Sequence, residues 1–287
     1  MQPSAGALAP PSRLERLVSG YSLLALLSLG HTFIDLYSGA LGVLQPFLIR
    51  KLELSLTQAG ILGGALILSS SVAQPLYGYL SDRFRSPLFT TLAPAVAGLC
   101  ICSLAWAPAY GYALLCVILG GAGVAAFHPQ GSSWAAAGVR RNRGGSMAVF
   151  ISAGTLGMAM APIFFERWIA AFGFARLPWA AAMGVAVSLL LFFTVREPAG
   201  LMTKQTHFDA KLLMAQWKPL AILYVGVFLR SAIQVVYAQY LVLYLSRERG
   251  FSVREAAYGA TAYLTAGALG GFLGGHLSDR FGARRVI

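Results

Sequence analysis

The stretch Gly78-Tyr-Leu-Ser-Asp-Arg-Phe84 occurs a second time in this chain, as Gly275-His-Leu-Ser-Asp-Arg-Phe281. The two copies lie 197 residues apart, and each follows a long apolar segment. The same spacing relates the upstream segments Leu54–Ala59 and Phe251–Ala256. A repeat of this length predicts a protein built from two related halves. In a membrane protein, two related halves are typical of a transporter.

The composition predicts that the chain is embedded in a membrane. Hydrophobic residues make up 57% of it and charged residues 11%, and the mean hydropathy is +0.67. A soluble domain carries about 25% charged residues. The apolar residues form long runs near the roughly 20 residues that a helix needs to cross a bilayer, without the alternation of barrel strands. We therefore predict an all-α membrane protein with eight transmembrane helices, at about 19–48, 57–80, 87–107, 110–137, 145–170, 177–195, 218–245 and 254–277.

The placement of the basic residues accounts for the net charge of +12. The N-terminus and the even-numbered loops between the runs carry 14 Lys and Arg, whereas the odd-numbered loops carry seven. Loops rich in Lys and Arg stay in the cytoplasm. The pattern therefore predicts a multi-pass protein with a cytoplasmic N-terminus, and the basic charge indicates topology rather than a nucleic-acid partner.

The chain divides into four parts. Residues 1–17 are rich in Pro, Ser and Ala and are expected to form a disordered cytoplasmic N-terminus. Residues 18–195 hold a six-helix bundle, and residues 196–217, the longest polar segment, form a cytoplasmic linker. Residues 218–287 repeat only the first two helices of that bundle. Because the repeat stops just after its second signature, the sequence favours a chain truncated after helix eight over a complete eight-helix protein.

The repeated loop resembles the signature of the major facilitator superfamily, which lies between helices 2 and 3 and again between helices 8 and 9. The second copy has the fuller pattern, with Gly282 and Arg284-Arg285, whereas Arg85 and Ser86 depart from it in the first copy. Three other segments resemble the fosmidomycin-resistance branch of that superfamily. They are Gly30-His-Thr-Phe-Ile-Asp35, Gln74-Pro-Leu-Tyr-Gly-Tyr79 and Gly120-Gly-Ala-Gly-Val-Ala-Ala-Phe-His-Pro129, the last followed by Gln130 where the branch usually has Glu.

The resemblance implies twelve helices in two six-helix bundles, of which this chain supplies eight. It implies a secondary active transporter of the inner membrane that exports a small drug-like molecule or metabolite in exchange for protons, by alternating access. The implied partners are the lipid bilayer, a small-molecule substrate and protons, with no cofactor. The alternatives are an importer or symporter of the same fold, or a non-transporting membrane protein that results from truncation.

A membrane-embedded enzyme is a further alternative, and the sequence disfavours it. The chain has no Gly-x-x-x-x-Gly-Lys-Ser/Thr loop for a nucleotide. Its one acid in mid-span, Asp35, has no second carboxylate or metal-ligand cluster near it in sequence. We therefore expect no enzyme activity, no catalytic residues and no metal.

Two charges predicted in mid-membrane mark a candidate cavity. Asp35 is the one acid among ten, and Arg230 the one cation among 22, that falls in mid-span. A charge at that depth costs about 2.5–3.5 kcal/mol, so it faces a cavity or a partner. We hypothesise that Asp35 pairs with Arg230. His31, one turn before Asp35, and His128 and Gln130 in the fourth run complete the predicted proton-coupling and substrate cavity, although each histidine taken alone fits a structural bond between helices better.

The repeated loop is also a candidate conformational latch. Its glycines allow close helix approach, its aspartates can cap a helix or pair with a cation, and its arginines can bridge to carboxylates or lipid headgroups. The residues of this predicted latch are Gly78, Asp82, Arg83, Gly275, Asp279 and Arg280. In the fifth run, Gly157 and Pro162 predict either a helix bend at the pivot between halves or small-residue packing.

The charge asymmetry predicts that residues 139–144, 196–217 and 279–287 face the cytoplasm. In a variant without native cysteines, Arg141→Cys and Gln205→Cys should resist a membrane-impermeant thiol reagent added to intact cells and react once the membrane is opened. Arg176→Cys, in an odd-numbered loop, should react in intact cells. The opposite pattern would reverse the orientation.

Overall fold

The computed structural model describes residues 13–84, 86–138, 143–196, 214–282 and 285. Within these ranges, all regular structure is helical and forms eight long spans. The spans are α1, Arg13–Ser38 continued by Ala40–Leu52; α2, Leu56–Ile67, a π-helical turn Leu68–Val72 and Gln74–Phe84; α3, Leu88–Thr91, Ala93–Cys102 and the 3-10 turn Ser103–Trp106; α4, Tyr110–Gly138; α5, Arg143–Phe172; α6, the 3-10 turn Phe174–Ala180 and Ala181–Thr194; α7, Trp217–Glu248; and α8, Val253–Phe281.

The prediction of an all-α membrane protein is confirmed. Seven of the described spans, α1 to α7, are long and apolar enough to cross a bilayer. The eighth, α8, is a continuous helix of 29 residues. The predicted linker at 196–217 lies mostly outside the described residues, which resume at Met214.

The structure reproduces the offset of the sequence repeat at both ends of the repeated helix. α2 runs from Leu56 to Phe84 and α8 from Val253 to Phe281, so both ends are 197 positions apart. Both helices also begin with the same reciprocal cap. Gln58 N–H donates to Ser55 Oγ at 3.2 Å, while Ser55 N–H donates to Gln58 Oε1 at 2.9 Å. Ser252 exchanges the equivalent bonds with Glu255 at 3.3 and 2.9 Å, because Ser-x-x-Gln and Ser-x-x-Glu are both capping-box sequences.

The spans give the bundle two distinguishable ends. The signature end carries Gly78–Phe84, and the cap end carries Ser55 and Ser252. α5 runs from the signature end to the cap end, whereas α8 runs the opposite way. α7 and α8 bury residues only in their cap-end parts, among those described: Gln239, Val242, Ala256, Ala257, Ala260 and Leu264. The repeat helices therefore meet the first six helices at the cap end.

α7 meets the first helices through glycines. A Cβ atom on Gly42 of α1 would lie 2.7 Å from the Ala238 carbonyl oxygen, so the two backbones touch there. Tyr240 of α7 donates a hydrogen bond to the Gly60 carbonyl oxygen of α2 at 2.9 Å. Small residues allow this close approach, as they do at other helix contacts in membranes.

α1 and α5 pack along a seam of small residues that holds the centre of the bundle. A Cβ on Gly39 would lie 2.8 Å from the Ala161 Cβ, and one on Gly157 would overlap the Thr32 carbonyl. Thr32 Oγ1 in turn donates to the Ala153 carbonyl oxygen at 3.1 Å. The structure thus gives Gly157 a packing role. α5 continues without interruption through Pro162, and the bend stays a prediction.

Gly157→Ala should lower stability, because the new methyl group would force α1 and α5 apart. Overpacking of this kind costs about 1–3 kcal/mol. Gly64→Ala is the matched control, since a Cβ there meets nothing within 4 Å. Thermal unfolding of the purified protein, followed by tryptophan fluorescence, should show a lower Tm for Gly157→Ala alone. Equal Tm values for the two variants would contradict this packing.

Candidate functional site

Three of the sequence-predicted site residues meet in the middle of the bundle. Asp35 lies on α1 and is buried, as is His31 one turn before it. The His31 Nε2 atom is 3.3 Å from Asp35 Oδ2. His128 of α4 approaches the other oxygen, with its Nε2 atom 3.7 Å from Asp35 Oδ1. The carboxylate is therefore held between two imidazoles from two different helices.

The hydrogen bond on the far side of His31 determines where the protons are. The His31 Nδ1 atom is 2.8 Å from the carbonyl oxygen of Phe150 on α5. Because a carbonyl oxygen only accepts, Nδ1 must carry the hydrogen. In a neutral imidazole the Nε2 atom is then an acceptor, and it faces a carboxylate oxygen, which is also an acceptor. A favourable contact needs one proton between them, as imidazolium with carboxylate or as imidazole with carboxylic acid.

Apolar rings and a bare backbone enclose this proton-sharing pair. The ring of Phe150 stacks on His31 with centroids 4.2 Å apart, and that of Phe127 lies at 5.9 Å. On α5, Gly154 faces the pair directly. A Cβ atom there would overlap the His31 ring and lie 2.6 Å from Asp35 Oδ2. A side chain at position 154 would therefore displace the contact.

A central cavity of about 260 Å³ lies on the open side of the pair. Asp35 and His128 line it, together with Met158 of α5 and Leu264 of α8. Most other lining groups are hydroxyls and amides from α1, α2 and α7. They include Ser38, Ser70, Ser71, Gln74, Ser231 and Gln234. Among its described lining residues, the one carboxylate is Asp35 and there is no Lys or Arg, so Asp35 dominates the local electrostatics.

A second cavity, of about 560 Å³, connects the pair with the signature end. His31, His128 and Phe150 line its inner part, and Gly78 and Ser132 line its outer part. His128 lines both cavities, as do Ser71 and Gln74. The two imidazoles thus lie between Asp35 and a space that leads to one end of the bundle.

The polar wall from α2 is a feature that sequence reasoning missed. The helix there makes a π-helical turn at Leu68–Val72, and Ser70 and Ser71 of this turn line the central cavity. π-turns inside helices often mark functional sites. The sequence signal was the run Ser69-Ser70-Ser71 inside an apolar span. The equivalent residues 265–269 of α8 are regular helix, so the two copies of the repeat differ here.

The structure does not bring Asp35 together with its predicted partner Arg230. Arg230 is exposed, and it forms no ion pair within the part of the chain that the structure describes. The cavity is lined by its neighbours Ser231 and Gln234 instead. Depth in the membrane was predicted from the sequence, but the direction in which α7 presents each residue was not.

Gln130 has a different position from the one predicted. It is buried next to α3, where its Oε1 atom accepts a hydrogen bond from Thr90 Oγ1 at 2.6 Å. Its Nε2 atom donates to the Ser86 carbonyl oxygen at 3.0 Å. Gln130 therefore joins α4 to the start of α3 and does not line either described cavity.

The predicted latch residues are only partly visible. Gly78 packs on Pro129 of α4, and a Cβ there would lie 3.5 Å from the proline Cβ. Asp82 and Arg83 are exposed and take part in no ion pair among the described residues. The Arg280 guanidinium lies 5.4 Å from the Phe281 ring centroid. The surroundings of Gly275 and of the Asp279 side chain are not described, so the latch stays a prediction.

His31, Asp35 and His128 form the one group of metal-ligating residue types among the described residues. The distances within this group suit a shared proton better than a metal ion. The candidate ligand atoms of His31, Asp35 and His128 lie within 4.8 Å of one another. Zinc bonds of about 2.0–2.1 Å would bring tetrahedral ligand atoms to roughly 3.4 Å. The group would have to contract to hold an ion, whereas the 3.3 Å contact of His31 with Asp35 already suits a shared proton.

Comparison with known families and sequences identifies relatives of the whole described bundle. A family model described as Major Facilitator Superfamily matches residues 27–287. The uncharacterized MFS-type transporter YfnC of Bacillus subtilis (strain 168) is 28% identical over 276 residues, which are 93% of this chain and 68% of that protein. The fosmidomycin resistance protein of Escherichia coli (strain K12) is 26% identical over 304 residues, covering 100% of this chain and 71% of that protein.

Solved structures show the same fold. A bacterial homologue of the human lysosomal transporter Spinster, in an inward-facing and unoccupied conformation, matches with a TM-score of 0.73 and 22% identity. The match covers 93% of this chain and 64% of that protein. Its inward-facing and occupied form gives the same TM-score and 63% coverage. The chain therefore spans just under two thirds of the length of these structural relatives.

The proton-sharing geometry predicts different effects for two substitutions of Asp35. In Asp35→Asn, the amide can donate to the neutral Nε2 of His31, so the contact survives without an exchangeable proton. In Asp35→Ala, the buried imidazole loses its partner, at a cost of about 1–3 kcal/mol. Thermal unfolding should give a Tm near that of the wild type for Asn and a lower Tm for Ala. A lower Tm for Asn than for Ala would contradict the assignment.

Proposed function

Since the chain belongs to the major facilitator superfamily, we propose that it acts as a proton-coupled secondary transporter that exports a small drug-like molecule or metabolite across the inner membrane. The observation that carries this proposal is the His31–Asp35 contact, which needs one proton and lies where the two cavities meet. Among the described residues of this chain, Asp35 is the one buried acid that lines the central cavity.

The proposed coupling step is loss of the shared proton. His128 and His31 face the cavity that leads to the signature end, so they offer a path by which the proton leaves Asp35. Without the proton, two buried acceptors face each other at 3.3 Å. An unsatisfied buried acceptor costs about 1–3 kcal/mol, and a coupling energy of that size changes a conformational equilibrium roughly 5- to 150-fold. Rearrangement of α1 against α5 and α4 relieves this cost.

The distribution of contacts supports alternating access. α7 and α8 are buried against the first six helices only in their cap-end parts, among the described residues. At the signature end, the second cavity is lined by residues of α1, α2, α4 and α5. With the signature end assigned to the cytoplasm by the charge pattern, this arrangement corresponds to an inward-facing state, in which the proton is released to the cytoplasm.

For the substrate, we propose only a chemical class. The cavity offers hydroxyls, amides and one carboxylate, which suits a small polar molecule. Fosmidomycin is the first compound to test, because one relative is named for resistance to it. The name of the same relative supports the proposal of export, since removal of a compound from the cell would give resistance to it.

Inside-out membrane vesicles provide the test. We expect fosmidomycin, or another small molecule from a panel, to speed the decay of a preset acid-inside pH gradient when it is added outside the vesicles. Asp35→Asn should abolish this effect, and Gly64→Ala should retain it. Decay only when the compound is preloaded inside the vesicles would indicate a symporter. A substrate-dependent decay in Asp35→Asn equal to that of the wild type would contradict the coupling role.

A further inference from the structure

We infer that Glu166 of α5 and Arg254 of α8 form a charged clasp that holds the cap end of the transporter closed and must open in every transport cycle. This inference rests on alternating access as proposed above, and it does not depend on protons or on the substrate. The two residues come from the two related halves of the chain.

The clasp consists of two adjacent contacts between the same helices. The Arg254 Nε atom donates to Glu166 Oε1 at 3.2 Å. Next to it, the Arg167 guanidinium donates a hydrogen bond to the Tyr258 hydroxyl and lies 5.5 Å from the centre of that ring. Arg254 and Tyr258 are one helical turn apart on α8, and their partners are consecutive on α5. The two contacts therefore fix both the separation and the register of the helices.

The clasp lies beyond a dry layer that seals the central cavity. Met158 and Leu264 line the cavity on α5 and α8. At 1.5 Å per residue, Glu166 lies about 12 Å from Met158 along its helix, and Arg254 about 15 Å from Leu264. Both displacements point to the cap end. Fully buried residues on the two helices between these positions include Ala161, Phe165, Ala256, Ala257 and Ala260.

The balance of charges suits a contact that must break. Glu166 is 93% buried, and its Oε2 atom has no hydrogen-bond partner. The Nε atom of Arg167 lies 3.9 Å from that oxygen. Closure therefore satisfies one carboxylate oxygen and leaves the other buried without a hydrogen bond, whereas opening would hydrate both. A fully satisfied buried pair would favour the closed state more strongly.

The clasp also distinguishes the two copies of the repeat. Arg254 of the second copy corresponds to Thr57 of the first, so the first copy has no equivalent cation. The cap residue two positions earlier is Ser in both copies. The arginine is thus an addition to a helix start that the cap already stabilises, which fits a role at the contact between halves rather than in α8 itself.

Cysteine accessibility tests the clasp directly. In a cysteine-free variant of the intact transporter, Gln234→Cys places a thiol in the central cavity, and an impermeant maleimide is applied to right-side-out and to inside-out vesicles. Breaking the clasp by Glu166→Gln should raise labelling from the cap-end side about fivefold and lower it from the signature-end side. Arg254→Gln should change labelling in the same way. Because the Arg254 side chain is half-exposed, this variant provides the test if Glu166→Gln does not fold.

Two controls separate a clasp from general loosening. Glu248→Gln removes one partner of the exposed pair with Arg247 and should leave both labelling rates unchanged. The charge exchange Glu166→Lys with Arg254→Glu should return labelling toward the wild-type ratio. Unchanged labelling in both single variants, or an equal rise on both sides, would overturn the inference. Because the assay uses neither a pH gradient nor a substrate, a transporter that is not coupled to protons would still show the predicted change.

Discussion

The contact between the His31 imidazole and the Asp35 carboxylate constrains everything around it. With Nδ1 committed to the Phe150 carbonyl at 2.8 Å, the opposite nitrogen faces a carboxylate oxygen at 3.3 Å. The site is stable only when it holds a proton, and only when α5 presents a backbone carbonyl and no side chain at Gly154. The small-residue seam between α1 and α5 is therefore a requirement of the chemistry as well as of the packing. Loss of the shared proton would therefore act directly on the contact between α1 and α5.

The two ends of the bundle around this contact differ in their packing. The cap end is closed by backbone contact at Gly42, by Tyr240 and by the Glu166–Arg254 pair. The signature end holds the larger cavity, which reaches His31 and His128. The repeat supplies similar helices to both halves, but α2 alone has the π-turn that lines the cavity with serines. The repeated helices therefore have the same bounds but contribute differently to the cavity.

The sequence predicted helix positions well because bilayer thickness and capping act locally. The repeat offset gave the same bounds for α2 and α8, and the spacing of His31 and Asp35 placed both on one helical face. Contacts between helices were harder, because they depend on how each helix is rotated. Arg230 was predicted to face the cavity, but it is exposed and lines neither described cavity, and Glu166 was overlooked because burial by another helix leaves no local pattern. Gln130 was misplaced because its partners, the Thr90 hydroxyl and the Ser86 carbonyl, lie about 40 positions away in sequence.

Nitrogen NMR of ¹⁵N-histidine-labelled protein would measure the central claim most directly. The chain has four histidines, so substitution of each one assigns every signal. The account predicts that Nδ1 of His31 stays protonated wherever the protein is folded, while the Nε2 signal changes with pH in the wild type. In Asp35→Asn, Nε2 should remain an unprotonated acceptor across the same range. A His31 protonated at Nε2 and bare at Nδ1 would contradict the shared-proton account.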